Sequence, residues 1–299
     1  VLDGADTPFR TVLVPSAANI ASMRGGHDQA LSFMDELIKR ETERLLFPKH
    51  VKLFTDGAFF SQLAQLQEPG YIDGHLGEWL VAPEQFIDIA RQYWNAGYTI
   101  HVHCTGDLGL ELALDALDTL QWERPRFDHR YTIEHFGFST PEQVARMAAL
   151  GASVSANVYY VHELSAIYAQ QGIGHERADQ MARIGSCVRA GIRTAVHSDF
   201  TMAPALPLNN AWVASTRQNM EGNVVCPEEA ITLDQALAAI TIDAAYMLGM
   251  EDEIGSLRAG KSADFAVLDT DPYAVGREGL KDIAVDATVF KGTPYPFKG

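Results

Sequence analysis

Residues 98–105 alternate strictly in polarity. Tyr98, Ile100, Val102 and Cys104 interleave with Thr99, His101, His103 and Thr105, which is the two-residue period of a strand. Shorter apolar runs at 11–15, 51–54, 131–134, 152–158 and 194–196 predict five more strands. Between them the apolar positions recur at helical spacing, predicting helices over 29–47, 83–95, 108–121, 140–150, 176–190, 209–219 and 233–248. Local signals mark several of their ends. Pro83 opens one helix and Gly97 follows its end, Gly191 stops another, and Asp107 is placed to cap a third. Thr140 with Gln143, and Thr232 with Gln235, have the spacing of capping boxes.

Apolar strands alternating with helices predict an α/β fold with a parallel sheet buried on both faces. An open doubly wound sheet and a (β/α) barrel both satisfy the pattern. No G-x-G-x-x-G follows any strand, so a dinucleotide fold lacks its phosphate signature. Residues 58–80, rich in glycine and aromatics, show no period, and loops of that length are usually functional or disordered. From 255 to 297 the chain turns to short strands with glycine turns and no strong helix. The expected division is a barrel domain over 1–250 and a small β appendage over 251–299.

Composition narrows the classes of partner. With 23 Lys and Arg against 39 Asp and Glu, the net charge is −16. That excludes a general nucleic-acid binder and disfavours an anionic membrane surface. No run approaches the ~18 apolar residues of a membrane span. Cys104, Cys187 and Cys226 form no C-x-x-C pair, so the expectation is a reducing, cytoplasmic setting without disulfides. The first residues carry no secretory signal pattern.

Four polar residues are expected at four strand ends: Lys52, His103, His135 and Asp199. Taken singly, Lys52 reads equally as a solvated lysine, Asp199 as a helix cap, and each histidine as a hydrogen-bonded core residue. In a parallel barrel, however, all strand C-termini share one face. Two imidazoles, a carboxylate and a lysine converging there suit a divalent ion, with Zn²⁺ the expected one.

Five segments resemble an amidohydrolase-superfamily enzyme of the N-substituted formamide deformylase type. They are V-K-L-F-T-D-G from Val51, H-C-T-G-D from His103, Y-T-I-E-H from Tyr131, H-S-D-F from His197, and I-G-S-L-R-A-G-K-S-A-D-F-A-V-L-D from Ile254. The resemblance implies a TIM-barrel-like hydrolase with strands three to eight in this chain, the tail belonging to a β-sandwich. It implies a carboxylated Lys52 bridging two metals, His103 and His135 on the second metal, and Asp199 as both metal ligand and general base. The family's His-x-His pair of strand one has no counterpart before Thr11. His101 and His103 have that spacing but stand in the wrong order after Lys52, so His101 is read as an inward-facing neighbour.

The chemistry so implied is hydrolysis of a C–N bond in a small amide-like molecule by metal-activated water, with one or two ions. Asp56, Gly57, Tyr159 and His162 are the expected substrate contacts, with Phe59, Phe60, Tyr71, Trp79 and Tyr160 as further lining candidates. The alternatives are a silent fragment or binding domain with an incomplete centre, and a mononuclear hydrolase or deaminase. A barrel without its first two strands would leave sheet edges bare, so an oligomer or an upstream segment is expected to cover them.

Overall fold

The computed structural model describes residues 2–4 and 6–297. Five strands form one parallel sheet in sequence order: β3 (His50–Phe54), β4 (Thr99–Cys104), β5 (Thr132–His135), β6 (Ser153–Asn157) and β7 (Thr194–His197). Helices cover its outer face, among them α3 (Pro83–Asn95), α4 (Asp107–Glu123) and α5 (Pro141–Leu150). This is an arc of a (β/α) barrel. Against the arc's outer side lies an unbroken core that includes Val51, Ile100, Val102, Ile133 and Val154, each with no solvent exposure.

The predicted first strand divides in two. Thr11 and Val12 form β1, which pairs with β2 (Leu45–Leu46) rather than with the sheet. The chain then reaches the barrel, where the Lys52 amide donates to the Pro15 carbonyl at 2.8 Å and Ser16 bridges to Lys52. The apolar spacing places residues 45 and 46 in a helix over 29–47. That helix runs only over His27–Ile38, because the Thr42 hydroxyl accepts the Arg44 and Leu45 amides and turns the chain.

Two other long helices are broken by competing partners. The one expected over 176–190 becomes His175–Ala178 and Ile184–Arg189. Between them Ala182 has φ 48°, its amide bonded to Gly137 and its carbonyl accepting from the buried Arg217 guanidinium. The one over 233–248 breaks at Thr241, whose hydroxyl donates to the Leu237 carbonyl. Both capping boxes are present. Asp107 is not the cap of α4. Gly106 is, and Asp107 is the first helical residue, accepting the Gln67 and Leu108 amides.

The tail forms a separate antiparallel sheet of β8 (Phe265–Leu268), β9 (Val285–Phe290) and β10 (Thr293–Pro296). It contains a helix the pattern missed, Pro272–Gly279, capped by Asp271. Arg10 and Arg44 lie over the Phe290 ring at 4.9 and 4.6 Å, tying the start of the chain to this sheet. Among the described residues no helix is long and apolar enough to cross a membrane.

Candidate functional site at the strand ends

Register partners on neighbouring parallel strands share a face. His103 pairs with Phe54 and Glu134, Glu134 with Ser155, and Asn157 with His197. The concave face therefore carries a polar set across the strands, interrupted by Phe54 and Ala195. Lys52 stands in register with His101, one layer below His103, rather than at the strand end.

His135 belongs by alternation to the other face, since it pairs with the outward Cys104 and Ala156. Its φ of 73°, followed by φ 50° at Phe136, turns the strand end so that its ring comes inward. There it meets His103 edge-on at 4.4 Å and His197 at 5.0 Å between centroids. The same device serves at β7, where Asp199 has φ 52° and its Oδ2 lies 3.7 Å from His135 Nδ1. Such backbone conformations are uncommon outside glycine and concentrate where a side chain must be aimed.

Below the mouth, histidines line up through hydrogen bonds. His50 Nδ1 lies 3.2 Å from His101 Nε2, and His101 Nδ1 lies 2.7 Å from Glu134 Oε1. On the other side Glu134 Oε2 is 3.8 Å from His197 Nδ1, which is 2.8 Å from the Ser155 hydroxyl. His197 Nε2 closes on His135 Nδ1 at 3.2 Å. A cavity of about 260 Å³ beside β7 is lined by His101, Glu134, Ser155 and His197.

The electrostatics follow from burial and from these neighbours. Burial, with Lys52 second, pushes His103 down to about 4. Burial, then Lys52 and His103, holds His135 well below the ordinary imidazole range. Burial lowers His50 to about 3, helped by His101. Glu134 is pushed up by burial, but Lys52 and the His101 hydrogen bond outweigh that, and its carboxyl lies below its ordinary value. Burial lowers Lys52 against the opposing pull of Glu134 and Asp199.

The expected substrate contacts are placed differently. Asp56 is wholly buried, and its carboxylate accepts the backbone amides of Gln65, Thr105 and Gly106 and the hydroxyls of Thr55 and Thr105. Burial raises it to about 6 against those hydrogen bonds. It ties residues 58–80 to the end of β4 instead of facing the mouth. Gly106 permits the close approach, since a Cβ there would lie 1.9 Å from the Gln65 carbonyl oxygen. The Gly57 carbonyl accepts from the Thr105 hydroxyl at 2.7 Å and faces His103 Nε2 at 3.4 Å, beside the site.

Tyr159 is buried. His162 donates Nδ1–H to the Gln218 carbonyl at 2.8 Å and sets its ring on Trp212. Phe59, Tyr71 and Tyr160 are core residues, whereas Phe60 is 61% exposed. Phe59 lies stacked between Tyr160 and Tyr168, at 4.3 and 4.5 Å. Sequence reasoning missed the inward His50, Ser155 and His197, and gave Glu134 no part in the site. Their signal was there, since each is an inward position on its strand.

The donor set fits a divalent ion in its chemistry. His103 and His135 are held neutral, as metal-ligating imidazoles must be, and a carboxylate stands beside them. Among the described residues no three His, Cys, Asp or Glu side chains are already gathered closely enough to hold one.

A model of the amidohydrolase family matches residues 3–295. The chain is 26% identical over 274 residues to N-substituted formamide deformylase of Arthrobacter pascens, covering 89% of this chain and 50% of that protein. It is 29% identical over 228 residues to protein LONG AFTER FAR-RED 3 of Arabidopsis thaliana, covering 75% of this chain and 39% of that one. In structure it resembles an uncharacterized metal-dependent hydrolase from Pyrococcus horikoshii with a TM-score of 0.69 at 25% identity. That match covers 83% of this chain and 50% of that one. The chain thus spans about half the length, or less, of the relatives it matches.

Proposed function

The chain belongs to the amidohydrolase family, and from that premise we propose that its strand-end site hydrolyses a C–N bond in a small amide-like substrate with a divalent metal. The observation that carries this reading is the inward turn of His135 and Asp199 onto one mouth, with His103 beside them. His103, His135 and Asp199 would hold the ion, with Zn²⁺ the proposed identity. When bound, such an ion lowers the pKa of water and polarises a carbonyl oxygen.

The chain's own residues do the rest. Asp199 accepts the proton of the attacking water and returns it to the leaving nitrogen, work worth roughly 10²–10⁴-fold. Its side chain is 42% exposed, so water reaches it. Lys52, whose burial favours the neutral amine, is the residue proposed to be carboxylated. The neutral Nζ attacks carbon dioxide, forms the N–C bond and loses a proton, giving a carbamate. Lys52 stands a layer below His103, within the barrel rather than at its rim.

A mononuclear site is the second reading, with His103, His135 and Asp199 as the three residues that would close on one ion. We also propose that the edge of β7, which pairs with no further strand among the described residues, is covered by a second copy or by further chain. Light scattering on the chain at increasing concentration tests that. For the activity, metal content by mass spectrometry and hydrolysis of a panel of formamides and amides are measured on the chain and on Asp199→Asn. Bound metal, and amide cleavage lost in the variant, are expected. Cleavage that persists in Asp199→Asn or after chelation would refute the reading.

A further inference from the structure

A neutral imidazole binds a metal through whichever ring nitrogen carries no hydrogen, and the partner of the other nitrogen decides which that is. His135 Nδ1 faces His197 Nε2 at 3.2 Å, so a hydrogen bond between them takes its hydrogen from one ring or the other. If it sits on His197, His135 must carry its own hydrogen on Nε2, and that nitrogen is blocked. If it sits on His135 Nδ1, then Nε2 is bare.

The surroundings of His197 decide between these. Its Nδ1 stands 3.8 Å from the Glu134 carboxylate, which can only accept. It is also 2.8 Å from the Ser155 hydroxyl, which accepts equally well. A hydrogen on His197 Nδ1 is donated to the Ser155 hydroxyl and faces the Glu134 charge favourably, and it leaves Nε2 as the acceptor for His135 Nδ1–H. Asp199 Oδ2, 3.7 Å from the same His135 nitrogen, pulls the same way. Glu134 is itself fixed, its other oxygen accepting His101 Nδ1–H at 2.7 Å, while His101 Nε2 accepts from His50 Nδ1–H at 3.2 Å. One carboxylate at the centre of the concave face thus orders the protons of two imidazole chains.

Resting on the proposed metal-binding role of His135, we propose that Glu134, His197 and Ser155 are positioning residues that hold His135 as its Nδ1–H tautomer and so present Nε2 to the ion. None of the three needs to touch substrate. Glu134 is the anchor, His197 the relay of hydrogen-bond direction, and Ser155 the second acceptor.

The test reads the tautomers directly. Long-range proton–nitrogen NMR of the metal-free full chain, labelled at histidine, reports which nitrogen of His135 and His197 carries hydrogen. Nδ1–H is expected for both. In His197→Phe the Nδ1–H loses its acceptor and only the more distant Asp199 Oδ2 favours it, so the Nε2–H fraction of His135 rises and Zn²⁺ affinity by calorimetry falls about 10–100-fold. His197→Gln, whose amide oxygen can still accept from His135, is expected to keep the tautomer and most of the affinity. Because it retains a polar group of similar reach, it serves if the Phe variant fails to fold. An Nε2–H tautomer of His135 in the wild-type chain overturns the proposal. So does a His197→Phe chain with unchanged tautomer and Zn²⁺ affinity. Absence of Zn²⁺ binding by the wild type overturns the metal reading instead, and the metal-free spectra still decide the positioning.

Discussion

The two faces of the five-stranded sheet are built from the same strands and could hardly differ more. The outward face offers Val51, Leu53, Ile100, Val102, Ile133, Val154 and Ala156, all buried under helices. The inward face offers His50, Lys52, His101, His103, Glu134, Ser155 and His197. Barrel interiors are usually packed with branched apolar side chains. Here hydrophobic burial is concentrated outside the arc, and the inside is given over to hydrogen bonds and charge. Stability and chemistry are thereby separated across one backbone, each strand contributing alternate residues to each.

That separation can be broken, or sharpened, by substitution. The largest loss of stability is expected on the outward face. Ile133→Ala or Ile100→Ala, at fully buried positions, should cost about 2–5 kcal/mol in denaturant unfolding. Next comes Asp56→Ala, which strands the buried amides of Gln65, Thr105 and Gly106. About 1–3 kcal/mol is expected, with faster hydrogen exchange at those amides. A loss below that range with unchanged exchange would show that water replaces the carboxylate.

Thr140→Ala removes one half of the α5 capping box and should cost about 1 kcal/mol. Thermal unfolding at matched pH measures it. The smallest effect on stability is expected on the inward face. Asp199→Asn should shift unfolding by less than about 1 kcal/mol while abolishing the proposed hydrolysis, since polar groups kept for function come at the expense of stability. If Asp199→Asn costs as much as Ile133→Ala, the two faces are not separate in the way described.

Period and punctuation made the frame legible. The parallel strands, the helix over Pro83–Asn95 and both capping boxes follow from patterns a few residues long. What these patterns missed was the competition for backbone groups, part of it local and part of it from distant residues. The helices expected over 29–47, 176–190 and 233–248 carry an acceptable apolar rhythm. They break where a hydroxyl, a distant arginine or a strand partner takes the backbone groups. In the candidate site, the convergence of His103, His135 and Asp199 was legible because strand ends share one face. Yet strict alternation would have sent His135 outward with Cys104, and only its left-handed backbone brings it in. The burial of Asp56 was not legible, because nothing near it in sequence announces the amides of Thr105 and Gly106 that claim it.

The stack of Phe59 between Tyr160 and Tyr168 has an optical consequence. Three rings held 4.3 and 4.5 Å apart, with interplanar angles of 21° and 11°, form a rigid chiral array of ultraviolet chromophores. The Tyr168 hydroxyl, donating to the Phe59 carbonyl, fixes one ring against the other. Residues 58–80 and the segment after β6 are joined through this array. Their docking over the strand ends therefore carries its own near-ultraviolet dichroism, a signal that fades when tertiary packing loosens even while the helices persist. The protein contains a built-in, label-free gauge of whether the two loops above its site are closed on each other.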